Sequence, residues 1–158
     1  LWHLFCPEGY VSLYQCSKKE RQTYPIRTHH GMCLAFFIGY GYSNEFTAHM
    51  QEMLDLFTKG ADVWFTVKTD EICSACPNNC EGVCEAAEKV KRYDNEVLVE
   101  CGLKEGQKLA FPEFTEAVQK KIIETGKRTK ICGDCQWNRI CQEQPSRWSK
   151  WRGSELCL

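Results

Sequence analysis

The chain has 158 residues, of which 43% are hydrophobic and 26% are charged, as is typical of one folded globular domain. Its 20 basic and 21 acidic residues give a formal net charge of -1, so nucleic acid and anionic membrane surfaces are not favoured as partners. No uninterrupted apolar run approaches the roughly 20 residues that cross a bilayer, which argues against a membrane protein.

The first residues, 1–24, are predicted to form an irregular N-terminal extension, because they follow neither a helical nor a strand period. Cys6 and Cys16 lie in it at a spacing that is not typical of metal ligands. Pro7 and Glu8 interrupt the stretch, which therefore does not resemble a secretory signal. We expect a cytoplasmic protein whose cysteines stay reduced.

Apolar residues at helical spacing predict four helices in the following segment, 25–142. The second is expected to begin after Ser43 as N-cap and to end at Gly60, and the third is expected to stop at Gly102. The four predicted helices span approximately 32–38, 43–60, 86–102 and 112–125. Val63 and Phe65 alternate with polar neighbours, which indicates a half-buried strand.

We therefore predict a mainly α fold with a minor β element (α+β). It forms a single small domain organised around two cysteine knots and is followed by a C-terminal tail, 143–158.

The first knot is the cysteine-rich loop from Cys73 to Cys84, which opens with Cys73-x-x-Cys76-Pro77. A Cys-x-x-Cys turn lets two thiolates converge on one metal, and its amide hydrogens stabilise their negative charge. Cys80 and Cys84 follow within reach of the same centre.

The second knot runs from Cys132 to Cys141 and contains a further Cys-x-x-Cys pair, Cys132 and Cys135.

The 12 cysteines of the chain indicate either disulfides in an oxidising compartment or thiolate ligands in a reducing one. Paired Cys-x-x-Cys motifs favour a metal. Iron–sulfur and zinc both remain open at this point, although there are more cysteines than one zinc ion uses. Cys101 lies on an apolar helix face and is expected to be a core residue.

A third cluster precedes the knots, where His29 and His30 stand just before Cys33. A histidine three or four residues from a cysteine can share its helix face, so these side chains could ligate metal or transfer protons beside it. They could equally cap and pack a helix.

In the C-terminal region, Trp137, Trp148 and several basic residues suggest either a packing anchor or, less favoured at this net charge, a nucleic-acid surface.

Several motifs resemble a small prokaryotic family, domain of unknown function 1284, whose members are often labelled predicted iron–sulfur binding proteins. The resemblance covers about residues 26–141. Its motifs are Arg27–Cys33, Phe36–Gly39, Gly41–Ser43, Asp70–Cys73 with Cys76–Pro77, Gly82, Cys84, Tyr93–Asp94, Gly102–Leu103, and Ile131–Cys135 with Trp137 and Cys141. Thr28 stands where the family is expected to have proline, and Cys80 and Cys101 look like additions.

The resemblance implies an iron–sulfur protein and supplies no reaction. The implied ligands are Cys73, Cys76, Cys84, Cys132, Cys135 and Cys141, with Cys33 next. We expect a [4Fe–4S] cluster centred on Cys73, Cys76, Cys132 and Cys135, used for electron transfer or redox sensing with a redox partner protein. The alternatives are a structural zinc module that presents a partner-binding surface and a metalloenzyme that uses His29 or His30. The sequence leaves the oligomeric state open.

Overall fold

The computed structural model describes residues 21–151. Most of the predicted N-terminal extension, with Cys6 and Cys16, and the end of the tail lie outside the described residues. None of the helices within that range is long and apolar enough to cross a membrane. The elements confirm the predicted α+β class, with helices packed on a small sheet.

A three-stranded sheet forms one side of the core. Its strands are β1 (Thr23–Arg27), β2 (Asp62–Thr66) and β5 (Lys108–Ala110). The central strand β2 pairs in parallel with β1 and antiparallel with β5. Val63 and Phe65 are fully buried whereas Trp64 is half-exposed, as the alternation predicts.

In the described residues six α-helices pack around this sheet, and four of them carry a cysteine each. The six helices are α1 (His30–Phe36), α2 (Asn44–Thr58), α3 (Ala87–Cys101), α4 (Phe111–Val118), α5 (Arg128–Cys132) and α6 (Asn138–Glu143). Short 3₁₀ turns occupy Ile72–Ala75 and Arg147–Ser149. A two-stranded hairpin joins β3 (Asn79–Cys80) to β4 (Val83–Cys84) inside the first knot.

The predicted helix ends are confirmed where local chemistry specifies them. The Ser43 hydroxyl accepts a hydrogen bond from the amide of Phe46 at 3.1 Å, so it caps α2. Gly102 adopts a left-handed conformation (φ +65) after α3, and its amide donates to carbonyls of the last turn.

Several details differ from the sequence-based expectation, which did not include α5, α6 or any strand besides β2. The first helix ends at Phe36, and Ile38 is 46% exposed rather than buried, because the backbone becomes extended at Phe37. The fourth helix changes to a π segment at Gln119–Ile123. Strand β1 was not predicted, because Pro25 lies within it. Proline is compatible with this position, since β1 is an edge strand.

Tight packing fixes α1 on the core. A Cβ at Gly31 would lie 2.7 Å from the ring of Phe114, so only glycine allows this approach. Trp148, which is 3% exposed, packs edge-on against Phe111 and donates from Nε1 to the Gly31 carbonyl at 2.7 Å. The C-terminal Trp148 is therefore a packing anchor, and it holds the helix that carries Cys33.

A candidate metal centre lined by four cysteines

The second knot is built by two short helices and the turn between them. Cys132 ends α5, Cys135 follows in a turn closed by its amide to the Cys132 carbonyl (3.0 Å), and Cys141 lies on α6. Asp134 ties this turn to α3, because its carboxylate accepts a hydrogen bond from the Tyr93 hydroxyl at 2.7 Å. The knot is thus held against the middle of the fold.

A cavity of about 130 Å³ lies between the second knot and α1. Apolar side chains, among them Met32, Phe36, Phe46 and Met50, form much of its wall. The lining also contains six residues of the types that commonly bind metals: Cys33, Cys132, Cys135, Cys141, His29 and His30. The tertiary structure therefore brings one distant cysteine to the three of the second knot.

The thiols of this cavity are electrostatically coupled. Burial raises the pKa of Cys33 well above its usual value, and the other three cavity thiols raise it further. Burial also raises the pKa of Cys132 to about 11, against the opposing positive charge of Arg128. Four thiolates at one place therefore need cations beyond those that the protein supplies, and metal coordination deprotonates a thiol outright.

The spacing of the sulfur atoms distinguishes between kinds of metal site. Four thiolates on one tetrahedral zinc, each about 2.3 Å from the ion, would have sulfurs about 3.8 Å apart. In the described part of the chain, no three cysteine sulfurs lie within 4.8 Å of one another. The four thiols therefore do not stand at the spacing of ligands to one zinc ion.

His29 is held by a buried carboxylate. Its Nδ1 lies 2.7 Å from Oδ1 of Asp94, whose other oxygen accepts from the Arg27 guanidinium at 2.8 Å. Burial lowers the pKa of His29. Burial opposes ionisation of Asp94, but His29 and Arg27 outweigh it and hold the pKa of Asp94 below its usual value. His29 and Asp94 therefore form a buried hydrogen-bonded pair that fixes the orientation of the imidazole ring.

His30 is paired in the same way with a second buried carboxylate. Its Nδ1 lies 2.6 Å from Oδ2 of Asp70. Asp70 also accepts hydrogen bonds from the backbone amides of Arg27 (2.7 Å) and Cys73 (3.1 Å). Burial works against its charge, yet His30 and these amides hold the pKa of Asp70 at about 2. Each histidine thus has one engaged ring nitrogen and lines the cysteine cavity.

The first knot adjoins this cavity at His30 but contributes no cysteine to its lining. Cys73 is buried, and its pKa is raised by burial and then by the neighbouring Asp70 carboxylate. The pKa of Cys76 is raised by burial first and, to a smaller extent, by Cys84, which stands opposite Asn79 in the β3–β4 hairpin. Cys73, Cys76 and Cys84 do not line the cavity of the second knot, so the predicted central set of four is divided between two places.

Two further cysteines are placed as the sequence suggested. Cys80 is exposed on the hairpin, which agrees with its weak standing as a ligand candidate. Cys101 is 3% exposed in the hydrophobic core, as expected of a packing residue.

The chain was compared with protein-family models, curated proteins and solved structures. The family model described as Protein of unknown function (DUF1284) matches residues 41–141. The chain belongs to this family. The match includes both knots of the DUF1284 domain, whereas His29, His30 and Cys33 precede the matched residues. No curated protein and no solved structure matches the chain.

Sequence reasoning missed four charged residues around the DUF1284 site. Their shared feature is burial beside a histidine or a cysteine: Arg27, Asp70, Asp94 and Arg128. Three of them stand in motifs quoted for the family resemblance, but without a role. Arg128 precedes Cys132 by one helical turn, and this spacing was the available signal.

Proposed function

We propose that Cys33, Cys132, Cys135 and Cys141 bind a [4Fe–4S] cluster, and that the protein transfers single electrons or senses redox state. The observation that carries this proposal is the shared cavity, which gathers four cysteines from α1 and the second knot. Four thiolates match the four irons of a cubane, and a fully thiolate-ligated cluster exchanges one electron without an open coordination site.

The surroundings of the four cysteines suit such a cluster. Aromatic and methionine side chains line the cavity, and an apolar shell of this kind would control the access of water to a bound cluster. The Arg128 guanidinium, which is buried, lies 3.7 Å from the sulfur of Cys132. A positive charge here offsets part of the negative charge of a thiolate-ligated cluster. Reduced thiols and a protein redox partner in the cytoplasm belong to the same proposal.

This assignment revises the predicted division of ligands. Cys33 and Cys141 become ligands in place of Cys73 and Cys76, because they share the cavity with Cys132 and Cys135. Cys84 accompanies Cys76 in the first knot and is not required by the cluster.

The test is metal analysis of anaerobically purified protein with its visible absorption spectrum. We expect about four irons and four acid-labile sulfides per chain, with visible absorption that dithionite bleaches. Serine at any one of the four cavity cysteines should remove the cluster. Cys80→Ser is the matched control, because Cys80 is an exposed cysteine outside the cavity. Zinc without sulfide, even after iron–sulfur reconstitution, would contradict the proposal and favour the structural zinc module.

A second candidate function is catalysis at a cluster iron that is not bound by a cysteine thiolate. It is favoured by one observation, that His29 and His30 line the same cavity as the cysteines. In that case one of the four cysteine-to-serine variants would keep all four irons, and its electron paramagnetic resonance spectrum would change on addition of cyanide as a small ligand. Loss of the cluster in all four variants would exclude it.

A further inference from the structure

The two buried carboxylates of the site are neutralised differently. Asp94 faces the guanidinium of Arg27, with nitrogen and oxygen 2.7 Å apart. Among the described residues, Asp70 has no arginine or lysine side chain as partner, and it bonds to His30 and two backbone amides. A buried ionised carboxylate without a cationic side chain other than a histidine is a favourable place for a metal cation.

We infer that His30, Asp70 and Cys73 bind one divalent transition-metal ion of the zinc class, at a site that adjoins the four-cysteine cavity and shares only His30 with its lining. The ligand atoms of these three side chains all lie within 4.8 Å of one another. Each residue is at least nine-tenths buried. The inference does not depend on the proposed cluster, since Cys73 takes no part in that cavity.

The donor set matches the chemistry of zinc. Imidazole nitrogen, carboxylate oxygen and thiolate sulfur are the three donor types that zinc binds in proteins. One carboxylate and one thiolate carry two negative charges, which a divalent ion neutralises. The buried complex is therefore neutral, which avoids the cost of an uncompensated charge in the core.

Backbone groups already orient the carboxylate. The amides of Arg27 and Cys73 donate to opposite oxygens of Asp70, at 2.7 and 3.1 Å. Hydrogen bonds of this kind fix ligating carboxylates in metal sites. Three protein ligands leave a fourth position for water or a small ligand.

Metal binding releases protons from the ligands. Nδ1 of His30 and the sulfur of Cys73 bind an ion only in their unprotonated forms, so any proton on Nδ1 and the proton of the Cys73 thiol leave these atoms. Zinc binding is therefore accompanied by release of protons to solvent.

The experiment uses the full chain after anaerobic iron–sulfur reconstitution. The protein is incubated with a small excess of Zn²⁺, desalted and analysed for iron, sulfide and zinc. The variants are Cys73→Ser and His30→Asn, and Cys80→Ser is the matched control. We expect one zinc per chain in the unaltered protein and in the control, and its loss in both variants, with iron and sulfide unchanged in Cys73→Ser, whose altered residue does not line the cavity. Equal zinc in Cys73→Ser and the control would overturn the inference.

A second measurement distinguishes loss of the proposed metal site from poor folding of a variant and from failure of the cluster proposal. Co²⁺ replaces zinc in the unaltered protein, and a sulfur-to-cobalt charge-transfer band reports thiolate coordination. The band should persist in Cys84→Ser and vanish in Cys73→Ser. If it vanishes only in Cys84→Ser, the ion lies at Cys76 and Cys84, and the inference is wrong. If no cluster forms, zinc in the four-cysteine cavity adds to the total, and Cys73→Ser should still hold one ion fewer.

Discussion

Arg128 reaches the sulfur of Cys132 across one turn of α5. Its Nη1 lies 3.7 Å from that sulfur, while Nη2 donates to the side-chain oxygen of Asn138 at 3.0 Å. The second bond fixes the guanidinium beside the cavity. Its positive charge there favours the more negative, reduced state of the proposed cluster.

Replacing Arg128 should therefore lower the reduction potential of the proposed cluster. Arg128→Met removes the positive charge and keeps much of the side-chain volume, so the reduced and more negative cluster loses stabilisation. A redox titration monitored by visible absorption measures the potential. Arg139→Met is the control, because the Arg139 side chain is 87% exposed. An unchanged or higher potential in Arg128→Met would contradict this role.

Asp94→Asn should strongly destabilise the fold. The carboxylate is fully buried and holds both Arg27 and His29. Removal of its charge leaves a buried guanidinium without a counter-ion, for which a loss of about 3–5 kcal/mol is expected. Urea unfolding of metal-free, reduced protein measures it. Glu143→Gln, which breaks an exposed pair with Arg139, should have little effect, and a comparable loss there would argue against burial as the cause.

The contribution of Asp94 should also depend on pH in one direction. Its pKa is held below the usual value in the folded protein, so folding favours the ionised form. The stabilisation is complete above the unfolded pKa of about 3.9 and is lost as pH falls through the folded value. The difference in unfolding free energy between the unaltered protein and Asp94→Asn should therefore shrink below about pH 4. A difference that grows on acidification would contradict the assignment.

Gly31→Ala should displace α1 and reduce stability. The added methyl group would lie 2.7 Å from the ring of Phe114, and overpacking of this kind costs about 1–3 kcal/mol. Thermal unfolding measures the loss. Phe114→Leu in the same chain makes room for the methyl group, so the double variant should lose less than the two single changes added together. Strict additivity would show that the two residues are not in contact.

Local features of the fold could be read from the sequence. Ser43 and Gly102 mark the ends of helices through hydrogen bonds and backbone conformations that involve only their chain neighbours. The alternation around Phe65 likewise predicts β2 from one short segment. Strand β1 escaped prediction because Pro25 is unfavourable in most strands and is tolerated here only at a sheet edge, which is a property of the assembled sheet.

The candidate site also has features that the sequence determined and features that it did not. The sequence of the protein determined that three cysteines of the second knot would lie close together, since a turn and one short helix join Cys132, Cys135 and Cys141. Only the tertiary structure decided that Cys33 would join them and that His30 would meet Asp70 and Cys73. The physical reason is that these contacts depend on how α1 packs against the core through Gly31 and Trp148, which residue spacing along the chain does not encode.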